Sequence, residues 1–197
     1  MKILLLLKIL HSIGGDIMIY LFLAEGFEES EAIIPLDMLR RAGIEVKTVG
    51  LSAHTVCGSH GIEIGTDCLM EDFSADTCDG IILPGGMPGT KNLFADERLL
   101  NAVRVCAKNN KLLAAICAAP LIFGRLGLLQ GKHAVCFPGF ENELSGAVID
   151  SSPAVSDGNI ITAAGAGAAF EFSYEIISYI KNKDCAQEIL RSVQFGR

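Results

Sequence analysis

The 197-residue chain contains no CxxC cysteine pair, no HExxH histidine spacing and no GxGxxG run, and each absence closes off a class of function. Its seven cysteines (Cys57, Cys68, Cys78, Cys106, Cys117, Cys136 and Cys185) are odd in number and unevenly spread. That pattern suggests neither a disulfide framework nor a zinc site, and it fits a reducing cytoplasm. The four histidines, His11, His54, His60 and His133, lie too far apart for a metal-binding helix motif, so no metal is expected. Cationic residues are scarce and scattered. Only Arg40 and Arg41 are adjacent among 16 Lys and Arg, against 23 Asp and Glu, so nothing supplies a footprint for nucleic acid. No linker, repeat or low-complexity segment divides the chain.

What is present is globular: half the residues are hydrophobic and a fifth are charged. Residues 1–17 stand apart as a leader, MKILLLLKILHSIGGD followed by Ile17. Its lysine and leucine run resembles a signal peptide, but Lys8 interrupts it, no small-x-small cleavage site follows, and it is too short to span a bilayer. A start of translation at Met18 is the other reading. Residues 18–197 are expected to form one domain. No membrane association is expected.

From Met18 onward apolar strand-length runs alternate with helical periodicity. Met18–Ala24, Ile44–Gly50, Gly80–Pro84 and Lys111–Ile116 read as buried strands, with a short strand at Gly61–Ile64 and another at Ala134–Phe137. Ala154–Ser156 and Ile160–Ala163 flank Asp157-Gly158-Asn159, a hairpin turn. Helices are expected over Ser30–Ala42 with Ser30 as cap, Glu97–Lys108, Ala118–Leu126, Ala168–Lys181 and Asp184–Val193. The alternation predicts an α/β fold: a doubly wound, mostly parallel sheet with helices on both faces. Its ligand crevice lies at the carboxyl ends of the strands, which collects Glu25–Glu31, Gly85–Gly89, Cys117 and Phe137–Glu141 at one rim.

Cys117 ends an apolar strand and precedes small residues and Pro120. A cysteine at such an elbow faces free backbone N–H groups and a helix N-terminus, which favour the reactive thiolate. The alternative is a small buried apolar residue. Glu28 and Glu29 read as ordinary helix-dipole partners. Glu31, followed by Ala32-Ile33-Ile34, is expected to turn inward. Against Cys117 it would be protonated and donate to the sulfur, because two adjacent anions are costly. Gly85 and Gly86 read either as oxyanion donors or as a tight turn needing positive φ. The Ala164–Ala168 run lets backbone approach the pocket, and a phosphate site there lacks its supporting motif.

LAEGFEESEAIIPLDMLRRAG, IILPGGMPG, AAICAAP and GAGAAFEF, in this order and spacing, resemble the ThiJ/PfpI superfamily in its DJ-one branch, with its bacterial members. The resemblance runs from Met18 to the C-terminal helix. It implies a flavodoxin-like three-layer α/β/α sandwich, usually a homodimer, with Cys117 as nucleophile, Glu31 as its protonated partner and Gly86 as oxyanion donor. It implies a cofactor-free glyoxalase III or protein deglycase acting on α-oxoaldehydes such as methylglyoxal or on their glycated adducts, or an oxidative-stress sensor or chaperone using the same cysteine. Two departures narrow this. Ala118 stands where the protease-like branch has a histidine, which argues against a peptidase. Phe137 stands where some relatives carry a pocket histidine, leaving Glu31 to move the protons alone. His60 occupies the place of an arginine near the pocket and reads either as its replacement or as a surface turn residue.

Overall fold

The computed structural model describes residues 17–196, so the predicted leader falls, but for Ile17, outside the described residues. Strands β1 (Met18–Leu23), β2 (Glu45–Gly50), β5 (Cys68–Leu69), β6 (Gly80–Leu83), β7 (Leu112–Ile116), β10 (Ala154–Asp157) and β11 (Ile160–Ala163) build one seven-stranded sheet. Its order is β10-β11-β7-β6-β1-β2-β5, and every pairing is parallel except β10 with β11. Two small ribbons complete the strands: β3 (Thr55–Cys57) with β4 (Glu63–Gly65), and β8 (His133–Ala134) with β9 (Val148–Ile149).

Both faces of the sheet are covered, which is why its strands read as unbroken apolar runs. One row of β1, Ile19, Leu21 and Leu23, packs under α1 (Glu29–Arg41), α5 (Ala169–Ile180) and α6 (Lys183–Ser192). The alternate row, Tyr20 and Phe22, packs with Leu99, Leu100 and Val103 of α3 (Glu97–Lys108) and Leu121–Phe123 of α4 (Pro120–Arg125). Each fully buried leucine or phenylalanine contributes about 1.5–3 kcal/mol, so the two apolar layers hold the sandwich. The expected flavodoxin-like, doubly wound, three-layer α/β/α architecture is the observed one.

The chain leaves β1 toward β2 on one side and returns to β6 on the other, so the sheet reverses between β1 and β6. Loops at their carboxyl ends are thereby forced apart into a crevice. Gly26–Glu28 and Gly85–Gly89 line it and are tied together: Glu28 N–H donates to Gly85 C=O at 3.0 Å and Gly89 N–H to Gly26 C=O at 3.0 Å.

Several local expectations need correction. Helix α1 is capped by Glu28, not Ser30, because the longer carboxylate reaches the Glu31 N–H at 2.7 Å and also takes the Ser30 hydroxyl. Helix α4 begins at Pro120, with Ala118 and Ala119 in the preceding turn, since proline suits the first helical position. The strand expected at Ala134–Phe137 stops at Ala134. Phe137 instead turns back to donate its N–H to the Cys117 carbonyl at 2.8 Å. Helix α2 (Gly89–Ala95) had no sequence expectation, and its seven residues are too few for a clear period.

Candidate functional site around Cys117

Cys117 sits where β7 ends and the chain bends into α4, and its backbone is at φ +65°. That left-handed conformation is strained for a non-glycine residue and is held from both sides. The Cys117 N–H donates to Ala163 C=O at 2.9 Å, continuing the β11–β7 ladder, while its carbonyl accepts from Phe137. The bend brings the sulfur beside Gly85 and the Glu31 carboxyl at the carboxyl end of β7.

Glu31 reaches it from the first turn of α1. Pro35 lies one turn on and has no N–H for the Glu31 carbonyl, so that turn lacks one of its usual bonds. The residue is 1% exposed. Its Oε2 accepts the Gly85 N–H at 2.8 Å, and its carboxyl also meets the Cys117 sulfur and the Ala166 N–H. The sulfur in turn receives the N–H groups of Gly86 and Ala118. Gly86 can aim that donor because it adopts φ +88°, which glycine tolerates.

Gly85 has a different reason to be glycine. A Cβ there would lie 2.6 Å from both Cys117 Cβ and Glu31 Oε2. We expect Gly85→Ala to force the thiol and the carboxyl apart at a cost of about 1–3 kcal/mol, measurable as a lowered urea midpoint. A variant as stable as the parent would mean that the two groups do not touch across this glycine.

Electrostatics departs from the expectation of a low-pKa thiol. Burial, then the charge and hydrogen bond of Glu31, push the Cys117 thiol up to about 12, against the N–H groups of Gly86 and Ala118. Burial likewise raises Glu31 to about 7, although the bonds from Cys117 and Gly85 oppose it. Two buried anions side by side are the costly state, so the pair holds on to one proton through neutral pH and titrates as a unit. A thiolate arises here when that shared proton resides on Glu31.

The remaining predicted residues take separate places. Ala118 is 3% exposed and offers its backbone alone. The Phe137 ring, about half exposed, stands 3.3 Å from where a Cβ on Gly165 would be, and the same point is 3.9 Å from Glu31 Oε1. It therefore overhangs the carboxyl side of the crevice. The hydrogen bonds of His60 do not run to Cys117 or Glu31. Its Nδ1 pairs with Glu29 Oε2 at 2.8 Å and its N–H with Glu29 Oε1 at 2.7 Å, while the imidazole stays largely in solvent. Burial raises the Glu29 carboxyl, but the His60 ring and the N–H groups of His60 and Ile62 outweigh it and hold Glu29 at about 2. His60 is raised in turn, first by its hydrogen bond to Glu29.

Glu29 is thus a buried anchor for the β3–β4 ribbon loop, a role its acidic neighbours hid in the sequence. Among the described residues, Glu28, Glu29 and His60 bring one ligand atom each within 4.8 Å of one another. Their oxygens are already engaged, by the α1 cap and by the Glu29–His60 pair. The Ala166 N–H on Glu31 was also missed. Only its place in a run of small residues hinted at it.

A model of the DJ-1/PfpI family matches residues 18–179. Protein dj-1beta of Drosophila melanogaster is 34% identical over 174 residues, covering 87% of this chain and 93% of that protein. A protein named as a deglycase in Pyrococcus abyssi is 26% identical over 160 residues, covering 80% of this chain and 96% of its own. The solved structure of oxidized Toxoplasma gondii DJ-1 aligns with a TM-score of 0.88 at 31% identity, over 92% of this chain and 100% of the other.

Proposed function

Because the chain belongs to the DJ-1/PfpI family, we propose that it is a cofactor-free enzyme in which Cys117 attacks α-oxoaldehydes of the methylglyoxal type or their glycated adducts. One observation carries the reading: a cysteine held at φ +65° with Glu31, Gly85, Gly86 and Ala118 converging on it. The Pyrococcus relative named as a deglycase supports the same class of substrate.

With the shared proton on Glu31, the Cys117 thiolate adds to the aldehyde carbon. A carbon–sulfur bond forms, and the carbonyl oxygen takes up charge facing the Gly86 and Ala118 N–H groups. Protonation of that oxygen gives a hemithioacetal. Glu31, then ionised, removes the hydrogen from the former aldehyde carbon and returns it to the neighbouring carbon, leaving a thioester of a 2-hydroxy acid. Water releases the acid and restores the thiol, so that methylglyoxal plus water becomes lactate. Deglycation follows the same steps on an adduct. Ala118 and Phe137 present no side-chain base, which leaves Glu31, among the described residues, as the proton carrier in contact with the sulfur. A homodimer and a cytoplasmic location belong to this reading as well. Among the described residues no helix is long and apolar enough to cross a membrane.

The direct test is incubation of the purified chain with methylglyoxal, without glutathione or added metal, and chiral analysis of the product. Lactate in proportion to the aldehyde consumed is expected. Consumption without lactate would overturn the mechanism.

A second reading, a peroxide sensor, rests on the same N–H donors and on a carboxyl able to hydrogen-bond an oxidised sulfur. The oxidized Toxoplasma relative is in keeping with it. Peroxide mapping should then find Cys117 oxidised ahead of the other six cysteines, with a turnover far below about 10 per second. Uniform oxidation of the seven would remove this reading.

A further inference from the structure

Across the sheet from the α1 face, in the layer under α3, two more thiols face each other. Cys78 precedes β6 and Cys106 lies on the buried side of α3. Both are 0% exposed, both are free, and their sulfurs are 3.8 Å apart. We propose that Cys78 and Cys106 form a second redox site, a dithiol that a small hydroperoxide converts to an intramolecular disulfide.

A disulfide bond is about 2.0 Å long, so closing the pair from 3.8 Å requires the sulfurs to approach by roughly 1.8 Å. The surroundings offer a first nucleophile. The two sulfurs are within hydrogen-bonding reach, and Cys78 Sγ also lies 3.3 Å from the Gly80 carbonyl. The contact with Cys78 and the Lys111 ammonium, which donates to the Cys78 carbonyl, lower the Cys106 thiol, while burial and Asp79 oppose. Cys106 attacks the hydroperoxide, forming a sulfur–oxygen bond and breaking the oxygen–oxygen bond, which yields a sulfenic acid and an alcohol, or water from hydrogen peroxide. Cys78 then attacks that sulfur and expels water. The thiols lose two electrons and two protons in total, and the hydroperoxide accepts them.

The cover over the pair selects the oxidant. Buried Cys78 directly follows the turn Ser74–Thr77, whose Ser74, Asp76 and Thr77 are exposed. That turn is pinned by the Lys111 Nζ to Ala75 C=O bond at 3.1 Å and by a Thr77 contact with the Tyr20 hydroxyl. Brief opening of so short a turn admits hydrogen peroxide and excludes a bulky disulfide such as oxidised glutathione. Once formed, the bond closes a loop across 28 positions that contains Gly85, Gly86 and α2, so it would stiffen the rim of the Cys117 crevice from the opposite face.

The site does not depend on Cys117, so the test uses both the parent chain and Cys117→Ala. Each is treated with hydrogen peroxide, unfolded with iodoacetamide present and digested with trypsin and an Asp-specific protease, which separates Cys78 from Cys57 and Cys68. In both chains a Cys78–Cys106 linked peptide is expected, about 2 Da lighter than the sum of its reduced halves. The oxidised Cys117→Ala chain should melt roughly 5 °C or more above its reduced form. Dithiothreitol should reverse the shift, and Cys78→Ala and Cys106→Ala should lack it. Full alkylation of both thiols after peroxide treatment that oxidises Cys57 or Cys185 would overturn the proposal. The peptide from the parent chain decides the matter even if an alanine variant does not fold.

Discussion

Cys117→Ala should reduce lactate formation from methylglyoxal by at least about a thousandfold, or about 4 kcal/mol of transition-state stabilisation. The size follows from the nucleophilic role proposed for Cys117: without a sulfur the proposed hemithioacetal cannot form, and the residual rate would be that of solution. The fold should survive, because alanine is no less suited than cysteine to φ +65° and keeps the backbone bonds to Ala163 and Phe137. Steady-state kinetics beside a thermal melt separates the two effects. A variant with parental turnover would remove Cys117 from the mechanism.

Glu31→Gln is expected to move activity and stability in opposite directions. Glutamine retains an oxygen for the Gly85 N–H and an amide donor for the sulfur, so it imitates the protonated acid. It cannot pass a proton between carbons, and the rate should fall by about a hundredfold to ten-thousandfold. For stability the sign is set by burial, which raises the folded carboxyl from 4.5 to about 7. Between those values the folded chain keeps a proton that the unfolded chain releases, so parental stability falls as pH rises through that window. Glutamine is exempt. The variant should match the parent near pH 4.5 and exceed it at pH 8 by on the order of 2–3 kcal/mol, read from urea midpoints at the two pH values. A variant less stable than the parent at pH 8 would mean that the site prefers the carboxylate.

The sandwich was legible in the chain because apolar runs at Met18, Gly80 and Leu112 alternate with amphipathic stretches such as Glu97–Lys108, and both patterns are local. Short elements were legible only in part. The strand expected at Gly61–Ile64 is the β4 strand Glu63–Gly65, paired with nearby β3, but β8 depends on β9 farther along the chain, and Phe137 reads as strand although its N–H turns back to Cys117. The acidic Glu28-Glu29-Ser30-Glu31 run hid three tasks: a helix cap at Glu28, a loop anchor at Glu29 and a partner for the sulfur at Glu31. Periodicity singled out the last because Ala32, Ile33 and Ile34 follow it. It was silent on Glu29, whose partner His60 comes from another ribbon.

By itself the sequence determined the doubly wound sheet and its crevice rim, and it singled out Cys117 and Glu31 as the residues proposed to act there, since these follow from residue type and short-range spacing. Only the tertiary structure decided the charge state of that pair. A thiol at an elbow reads as activated from its backbone neighbours alone. Burying it against a carboxyl that is itself buried raises both groups and leaves one proton shared between them. The same is true of Cys78 and Cys106, 28 residues apart in the chain and 3.8 Å apart in the fold. Desolvation and proximity are properties of packing, and no local pattern encodes them.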